Sequence, residues 1–391
     1  MSDTNSYLLT CLQAAAQGEP APKPPSTVEW SRWLTGIAAN HLEPFVHAWL
    51  REQPMPWLPA AVAKRLEVAF YASAARYVVH ARLLAQLLAA CQEVVLPVVL
   101  LKGMALAPTV YPTEAARPMR DLDVLVEQRE AKRLEQLLLS LGWQPINTNP
   151  NRPPAWEWQF GGQQEFARQA AGGTVVLEVH WRAFKGGWAR YASHWDHQSV
   201  WHDQVPLVFD GLPAARLSDV DTLLHAISHT AINHHFHQAP LRSLLDVDRI
   251  VRTYGGATLW RAFLERTRCF RLQTASYVTL HLSWQLFSTP LPTDLLAALS
   301  PGPVRCNWLS KQLRPKRLLD GGLAFASGRA KFLLQLMLVD RPDDMARLLW
   351  RTFVPETEWL HTVYGLHLHS RGQLWRHRLS HPLRVILRGE M

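Results

Sequence analysis

Three acids and a lysine–glycine pair stand at spacings that suit phosphate chemistry. Asp121 and Asp123 lie in the run Arg120-Asp121-Leu122-Asp123-Val124-Leu125-Val126, whose alternation reads as a strand. Residues two apart on a strand share a face, so the two carboxylates aim at one point while Leu122, Val124 and Val126 face a core. Hard cations such as Mg²⁺ take carboxylate, phosphate and water oxygens, and an aspartate pair at this spacing can bridge two ions about 3.5–4 Å apart. The chemistry this suits is phosphoryl or nucleotidyl transfer. Glu178 is the lone acid of the apolar, β-branched run Thr174-Val175-Val176-Leu177-Glu178-Val179-His180-Trp181. A carboxylate left there without a partner would cost several kcal/mol, so a metal, a cation or water must meet it.

Basic residues surround the acids in sequence. The strand-like run Val98-Val99-Leu100-Leu101 ends in Lys102-Gly103, and Arg117 and Arg120 precede the aspartates. Guanidinium groups bind phosphate oxygens in pairs and lysine acts as a point charge, so Lys102, Arg117 and Arg120 suit phosphate neutralisation. His180, two positions after Glu178, shares its strand face; it suits contact with a ligand or proton transfer, and equally a structural hydrogen bond. Trp181 points the other way, into a core.

A second cluster comprises His225, His229, His234, His235 and His237, followed by Asp246 and Asp248. His225 and His229 are four apart on the helix-like run Leu217 to Ile232, the spacing of zinc-binding helices. Neither a glutamate between them nor a nearby cysteine completes that motif, so a helical surface covering a pocket is the better reading. Asp246-Val247-Asp248 falls in a run with helical apolar spacing, where positions two apart do not share a face. It is not a second metal pair, although Asp246 can line a cleft.

The order glycine after a first strand, acid-x-acid on a second and a single acid on a later strand resembles the nucleotidyltransferase superfamily with the DNA polymerase β-like fold. More closely, "LLKGMALAPTVYP…RPMRDLDVLV…EVHW" is similar to a bacterial family of uncharacterised nucleotidyltransferases with Lys-Gly, Arg-x-x-x-Asp-x-Asp and a later Glu-x-His-Trp; the likeness covers roughly residues 95 to 185. It implies an α+β fold, with a small mixed β-sheet nucleotidyltransferase core between N-terminal and C-terminal helical regions. It further implies a nucleoside triphosphate such as ATP as substrate and one or two Mg²⁺ ions held by Asp121, Asp123 and Glu178, which would also be the catalytic acids. Lys102, Gly103, Arg117, Arg120 and His180 would then bind the nucleotide. Two departures count against activity: Met104 stands where many members place a serine, and 18 positions separate Gly103 from Asp121. The alternatives are a non-catalytic binding module for RNA or a protein partner, and a toxin-like enzyme acting on tRNA or protein.

The elements that must position these residues read as helix-rich, then mixed, then helix-rich. The expected parts are 1–93, 94–215 and 216–391. A proline-rich linker, Glu19 to Pro25, precedes helical runs at Val28 to Leu50 and Ala60 to Cys91, the second packing on the sheet or leading into its first strand. From Val94 to about Phe209 the pattern is strand, helix, strand, helix, strand, with helices at Ala105 to Tyr111 and at Glu130 to Leu141, stopped by Gly142. Asn147 to Gly173 reads as a loop or hairpin, with Arg152 and Arg168 near the cleft. Beyond Leu217, helices broken by prolines run to the end.

Composition bounds the rest. At 391 residues, 48% hydrophobic and with 17 tryptophans, the chain can bury a large core in two or three domains. Its four cysteines, Cys11, Cys91, Cys269 and Cys306, form no Cys-x-x-Cys pair, which points to a reducing cytoplasm. The opening residues carry no basic segment before an apolar run, and no run approaches the roughly 20 apolar residues of a membrane span. Of the net charge of +9, residues 301–391 carry +8, from 15 Lys and Arg against 7 Asp and Glu. Lys311 to Arg317 and Arg371 to Arg388, with Trp375, suit an acidic partner such as RNA or a solvated, ion-paired helical face.

Overall fold

Apolar alternation places the acids at the middle of a sheet. The computed structural model describes residues 3–147, 156–184, 187–323, 328–364 and 371–388. Its seven strands are β1 (Val99–Leu100), β2 (Asp121–Leu125), β3 (Gln144–Ile146), β4 (Gln163–Ala170), β5 (Gly173–His180), β6 (Val205–Phe209) and β7 (Leu212–Arg216). Their order is β3-β4-β5-β2-β1-β7-β6. β2 is parallel to β5 and antiparallel to β1, and β1 is parallel to β7, so the sheet is mixed. Leu122 and Val124 of β2 and Leu177 and Val179 of β5 are buried in one apolar cluster with Leu83, Leu84, Leu87 and Leu88. Those leucines lie on α4 (Ala60–Glu93), which covers that face of the sheet; Trp181 joins the same cluster.

The remaining helices surround this core. They include α1 (Asp3–Gln17), α2 (Trp30–Ala39), α3 (Glu43–Glu52), α5 (Lys102–Val110), α6 (Ala131–Ser140), α7 (His197–His202), α8 (Asp219–Ser228), α9 (Pro240–Tyr254), α10 (Ala257–Phe270) and α11 (Gln273–Phe287), and helices continue to Arg388. A second apolar cluster takes Leu8 and Leu12 of α1, Trp33 and Ile37 of α2, Leu106 of α5, Leu244 of α9, Phe287 of α11, and Leu318 and Leu319. The proline-rich segment is tied to it: the Tyr7 hydroxyl donates to Pro22 O at 2.8 Å and Trp49 Nε1 to Glu19 O at 2.8 Å. Among the described residues no helix is long and apolar enough to cross a membrane.

Several expectations need correction. The first strand shrinks from Val98–Leu101 to β1, entered from α4, which runs to Glu93, through a turn at Val95 with a φ of 53°. Lys102 and Gly103 do not trail the strand; they open α5, with Lys102 at a φ of 45°. The single helix expected over Val28 to Leu50 is two, broken at Asn40–Leu42 where His41 has a φ of 54°. The stretch Asn147 to Gly173 holds a π-helical turn, Glu157–Gly161, and β4, which pairs antiparallel with β5. Arg168 lies there on β4 and donates to Gln86 of α4 at 3.0 Å, while Arg152 lies outside the described residues. A β6–β7 hairpin was not foreseen. Its Asp210 and Gly211 have φ of 50° and 76°, the two positive values of a type I′ turn.

Candidate functional site

Parallel pairing of β2 and β5 sets Asp123 directly opposite Glu178, and Leu125 opposite His180. Asp123 and His180 are buried, at 2% and 1% exposure, and Glu178 is half-buried. His180 Nε2 lies 3.0 Å from Asp123 Oδ1 and 3.2 Å from Glu178 Oε2. From the start of α5, Lys102 Nζ reaches the same two oxygens, at 2.5 and 3.2 Å. Two carboxylates this close repel unless a cation lies between them, and here the ammonium supplies it. Burial works against the charged lysine. Asp123 and Glu178, with Asp121 beyond them, more than offset that and hold its pKa above the ordinary lysine value.

Asp121, two positions earlier on the same face, stands outside this contact cluster. Burial raises its pKa above 3.8, and the Asp123 carboxylate adds to the rise against the pull of Lys102. The set with metal-holding geometry is Asp123, Glu178 and His180, whose ligand atoms all lie within 4.8 Å of one another. Carboxylate oxygens from Asp121, Asp123 and Glu178 fit Mg²⁺, whereas the imidazole nitrogen favours softer ions. Because Lys102 Nζ touches the oxygens an ion would use, metal binding and the lysine contact compete.

The other sequence-predicted residues are drawn elsewhere. Arg117 is buried and spends Nε and Nη2 on Asp246 of α9, both at 2.8 Å, while the Tyr111 hydroxyl donates to Asp246 Oδ1 at 2.6 Å. The Asp246 of the sequence therefore joins the site as the counter-charge of Arg117; Asp248 faces away, paired with Arg252 at 2.9 Å. Arg120 is exposed, its Nη2 2.8 Å from His41 Nε2. A Cβ added at Gly103 would come within 2.7 Å of Arg117 Nη1 and closer still to Met119, so the glycine is needed for α5 to approach those side chains. Met104, where the superfamily resemblance would put a serine, is buried with the α4 leucines and faces the core.

A cleft opens beside Lys102. It is lined by Lys102, Arg117, Arg242, Asp246, His225 and His229, among others, and encloses about 40 Å³, room for a water or two. It meets the acid cluster only through Lys102, so a nucleotide on both must displace side chains. His225 of α8 and His229, which opens the π-helical turn after it, thus line the cleft. Their rings pack in series: Phe184 on His225, His225 on His229 and His229 on His234, while His235 stacks on Trp188.

Arg242 is the residue that sequence reasoning missed. It lines the cleft from the first turn of α9, yet its Nε is buried without a hydrogen-bond partner. The only local signal is its spacing of four from Asp246, which predicts an ordinary helix ion pair; Arg117 occupies Asp246 instead.

A mixed sheet bearing paired acids on neighbouring parallel strands, with helices on both sides, defines a nucleotidyltransferase-like α+β protein. The chain belongs to the family of uncharacterised nucleotidyltransferases, whose family model matches residues 26–288. No curated protein and no solved structure matches it.

Proposed function

We propose that the protein transfers a nucleoside monophosphate from a nucleoside triphosphate to an acceptor, in a magnesium-dependent reaction of the DNA polymerase β-like type. The observation that carries this reading is the register of β2 on β5, which sets Asp123 against Glu178 with Asp121 two residues away. Family membership supports it. Asp121, Asp123 and Glu178 would hold Mg²⁺, which supplies charge neutralisation for the triphosphate. His180, bonded to both Asp123 and Glu178, fixes the orientation of those carboxylates. Glu178, the more accessible of the two, takes the proton of the acceptor hydroxyl. The acceptor oxygen attacks the α-phosphorus in line, the bond to the bridging oxygen breaks and pyrophosphate leaves. Positioning and charge neutralisation then account for most of the acceleration.

A second reading follows from Lys102. Its ammonium already compensates Asp123 and Glu178, the arrangement expected of a non-catalytic member that binds a partner such as RNA through its basic C-terminal segment. Calorimetric titration with the four nucleoside triphosphates, with and without Mg²⁺, separates the two. Magnesium-dependent binding by the wild type, lost in Asp121→Asn/Asp123→Asn, is the expected result. Failure of the folded wild type to bind any of them removes the enzyme reading in favour of the binding module.

A further inference from the structure

The buried Arg117 and several half-buried arginines of this protein meet aspartates. Arg117 holds Asp246, Arg252 holds Asp248, Arg266 holds Asp221 and Arg271 holds Asp344. Arg242 differs from these: the aspartate one helical turn along accepts from Arg117 and Tyr111, and half-buried Arg242 forms no ion pair among the described residues. Burial, then the neighbouring Arg117 charge, depresses its pKa below the ordinary arginine value. Asp246 and Asp121 pull the other way without contact, so a largely desolvated guanidinium that no acid touches is costly unless an anion completes the site.

Arg242 is not alone. Arg120 Nη2 faces His41 Nε2 at 2.8 Å, base against base, which requires a neutral, accepting imidazole. Arg76 Nη1 reaches the carbonyl of Met119, the residue before Arg120, at 3.4 Å. The charges are close enough to act on one another: after burial, Arg120, Arg242 and Arg76 together hold His41 below its ordinary value. Neither Arg76 nor Arg120 forms an ion pair among the described residues. Asn40, beside His41, accepts at 3.2 Å from the N–H of Leu241, beside Arg242, so four separate parts of the chain deliver bases to one place: the α2–α3 break, α4, the approach to β2, and α9. Asp246 and, less strongly, Asp121 act on Arg242, and the Asp121 interaction puts the group beside the candidate metal ligands.

We propose that Arg242, Arg120 and Arg76, with His41, form a phosphate-binding site at the mouth of the cleft. Lys102 and Arg117, the cations a sequence motif would assign to that task, are already neutralised by acids, so the unmatched positive charge lies here. Guanidinium groups bind phosphate oxygens in bidentate fashion, which suits three arginines converging on one anion. The phosphate belongs either to the tail of the nucleotide or to an acceptor; calling it part of the reaction rests on the nucleotidyltransferase reading, whereas the site itself does not.

The test is calorimetry with sodium tripolyphosphate on the full chain and on Arg242→Gln, followed by thermal melting of both without ligand. The wild type should bind, and the variant should bind about tenfold more weakly or worse. Without ligand, Arg242→Gln should melt no lower than the wild type, since it removes an uncompensated charge and no bond; a structural arginine would behave in the opposite way. If that variant fails to fold, the exposed Arg120→Gln carries the same comparison. Equal affinity in wild type and variant, or no binding to the wild type, overturns the site. Competition between tripolyphosphate and ATP assigns the site to the nucleotide tail, and simultaneous binding assigns it to an acceptor phosphate. Magnesium-dependent ATP binding that Arg242→Gln leaves unchanged refutes this site alone. Tripolyphosphate binding lost in Arg242→Gln, with no nucleotide bound at all, keeps the site and removes the enzyme reading.

Discussion

Asp121 carries a cost that its neighbours do not. Lys102 and His180 satisfy Asp123 and Glu178, whereas Asp121 is partly desolvated and faces the Asp123 charge, so the folded protein raises its pKa above 3.8. A carboxyl whose folded pKa is raised stabilises the fold fully below its unfolded value, and that contribution is lost as pH rises through the folded value. At pH 7, then, ionised Asp121 opposes folding. Asp121→Asn is expected to melt a few degrees above the wild type at pH 7 without ligand, and the gap should close as acid protonates the native residue. A variant melting at or below the wild type at pH 7 would refute this. The placement of Asp121, Asp123, Glu178 and His180 was legible in sequence because a strand's period of two assigns faces unambiguously. The partners of Lys102 were not, since they depend on a left-handed residue at the start of α5. Nor was Arg242: its isolation is decided by Arg117, which lies 129 residues before the Asp246 it occupies.

At the scale of elements, the break between α2 and α3 does the most to hold the site in place. Asn40 there is fully buried; its Nδ2 donates to the carbonyls of Leu318 and Leu319 at 3.3 and 3.1 Å, and its Oδ1 accepts from the Leu241 N–H at 3.2 Å. One side chain thus secures the first turn of α9, the helix that presents Arg242 and Asp246. Asn40→Ala would leave those buried groups unsatisfied and should cost roughly 2–4 kcal/mol, since each such group costs about 1–3 kcal/mol. In urea the midpoint should fall with the slope unchanged; a loss under about 0.5 kcal/mol, within the range of ordinary surface substitutions, would show the bonds to be incidental. Helical spacing on both sides of Asn40 hid the break, because its cause lies some 280 residues away in the chain. The β6–β7 hairpin was hidden for another reason. Asp210-Gly211 is a strong local turn signal, but Pro206 and Pro213 sit inside the flanking runs, and proline argues against a strand unless that strand is at an edge. β6 is an edge strand, and Pro213 lies on the part of β7 that pairs with β6 and not with β1.

Across the whole molecule, one apolar cluster draws on the first helix, the helix after β1 and segments from residue 291 to 338, so segments on both sides of the part that the family model matches pack against it. The long helix on the sheet and the helical C-terminal half were readable from apolar spacing. The joining of these flanking segments was not, since contacts between distant segments leave no periodic trace. The basic surplus of the last segment was plain in composition, and two of its bases are paired in place, Arg347 with Asp344 and Arg351 with Glu356, although those acids also serve Arg271 and Arg190 outside the segment. Finally, the small cleft has a kinetic meaning. With about 40 Å³ inside it, a triphosphate can enter only after α8 or the Lys102 side chain gives way, and that step runs at its own speed whatever the ligand concentration. In stopped-flow mixing the observed binding rate should therefore climb and then flatten as nucleotide increases, and the plateau would be the opening rate itself; a line that keeps rising would mean that the entrance stands open.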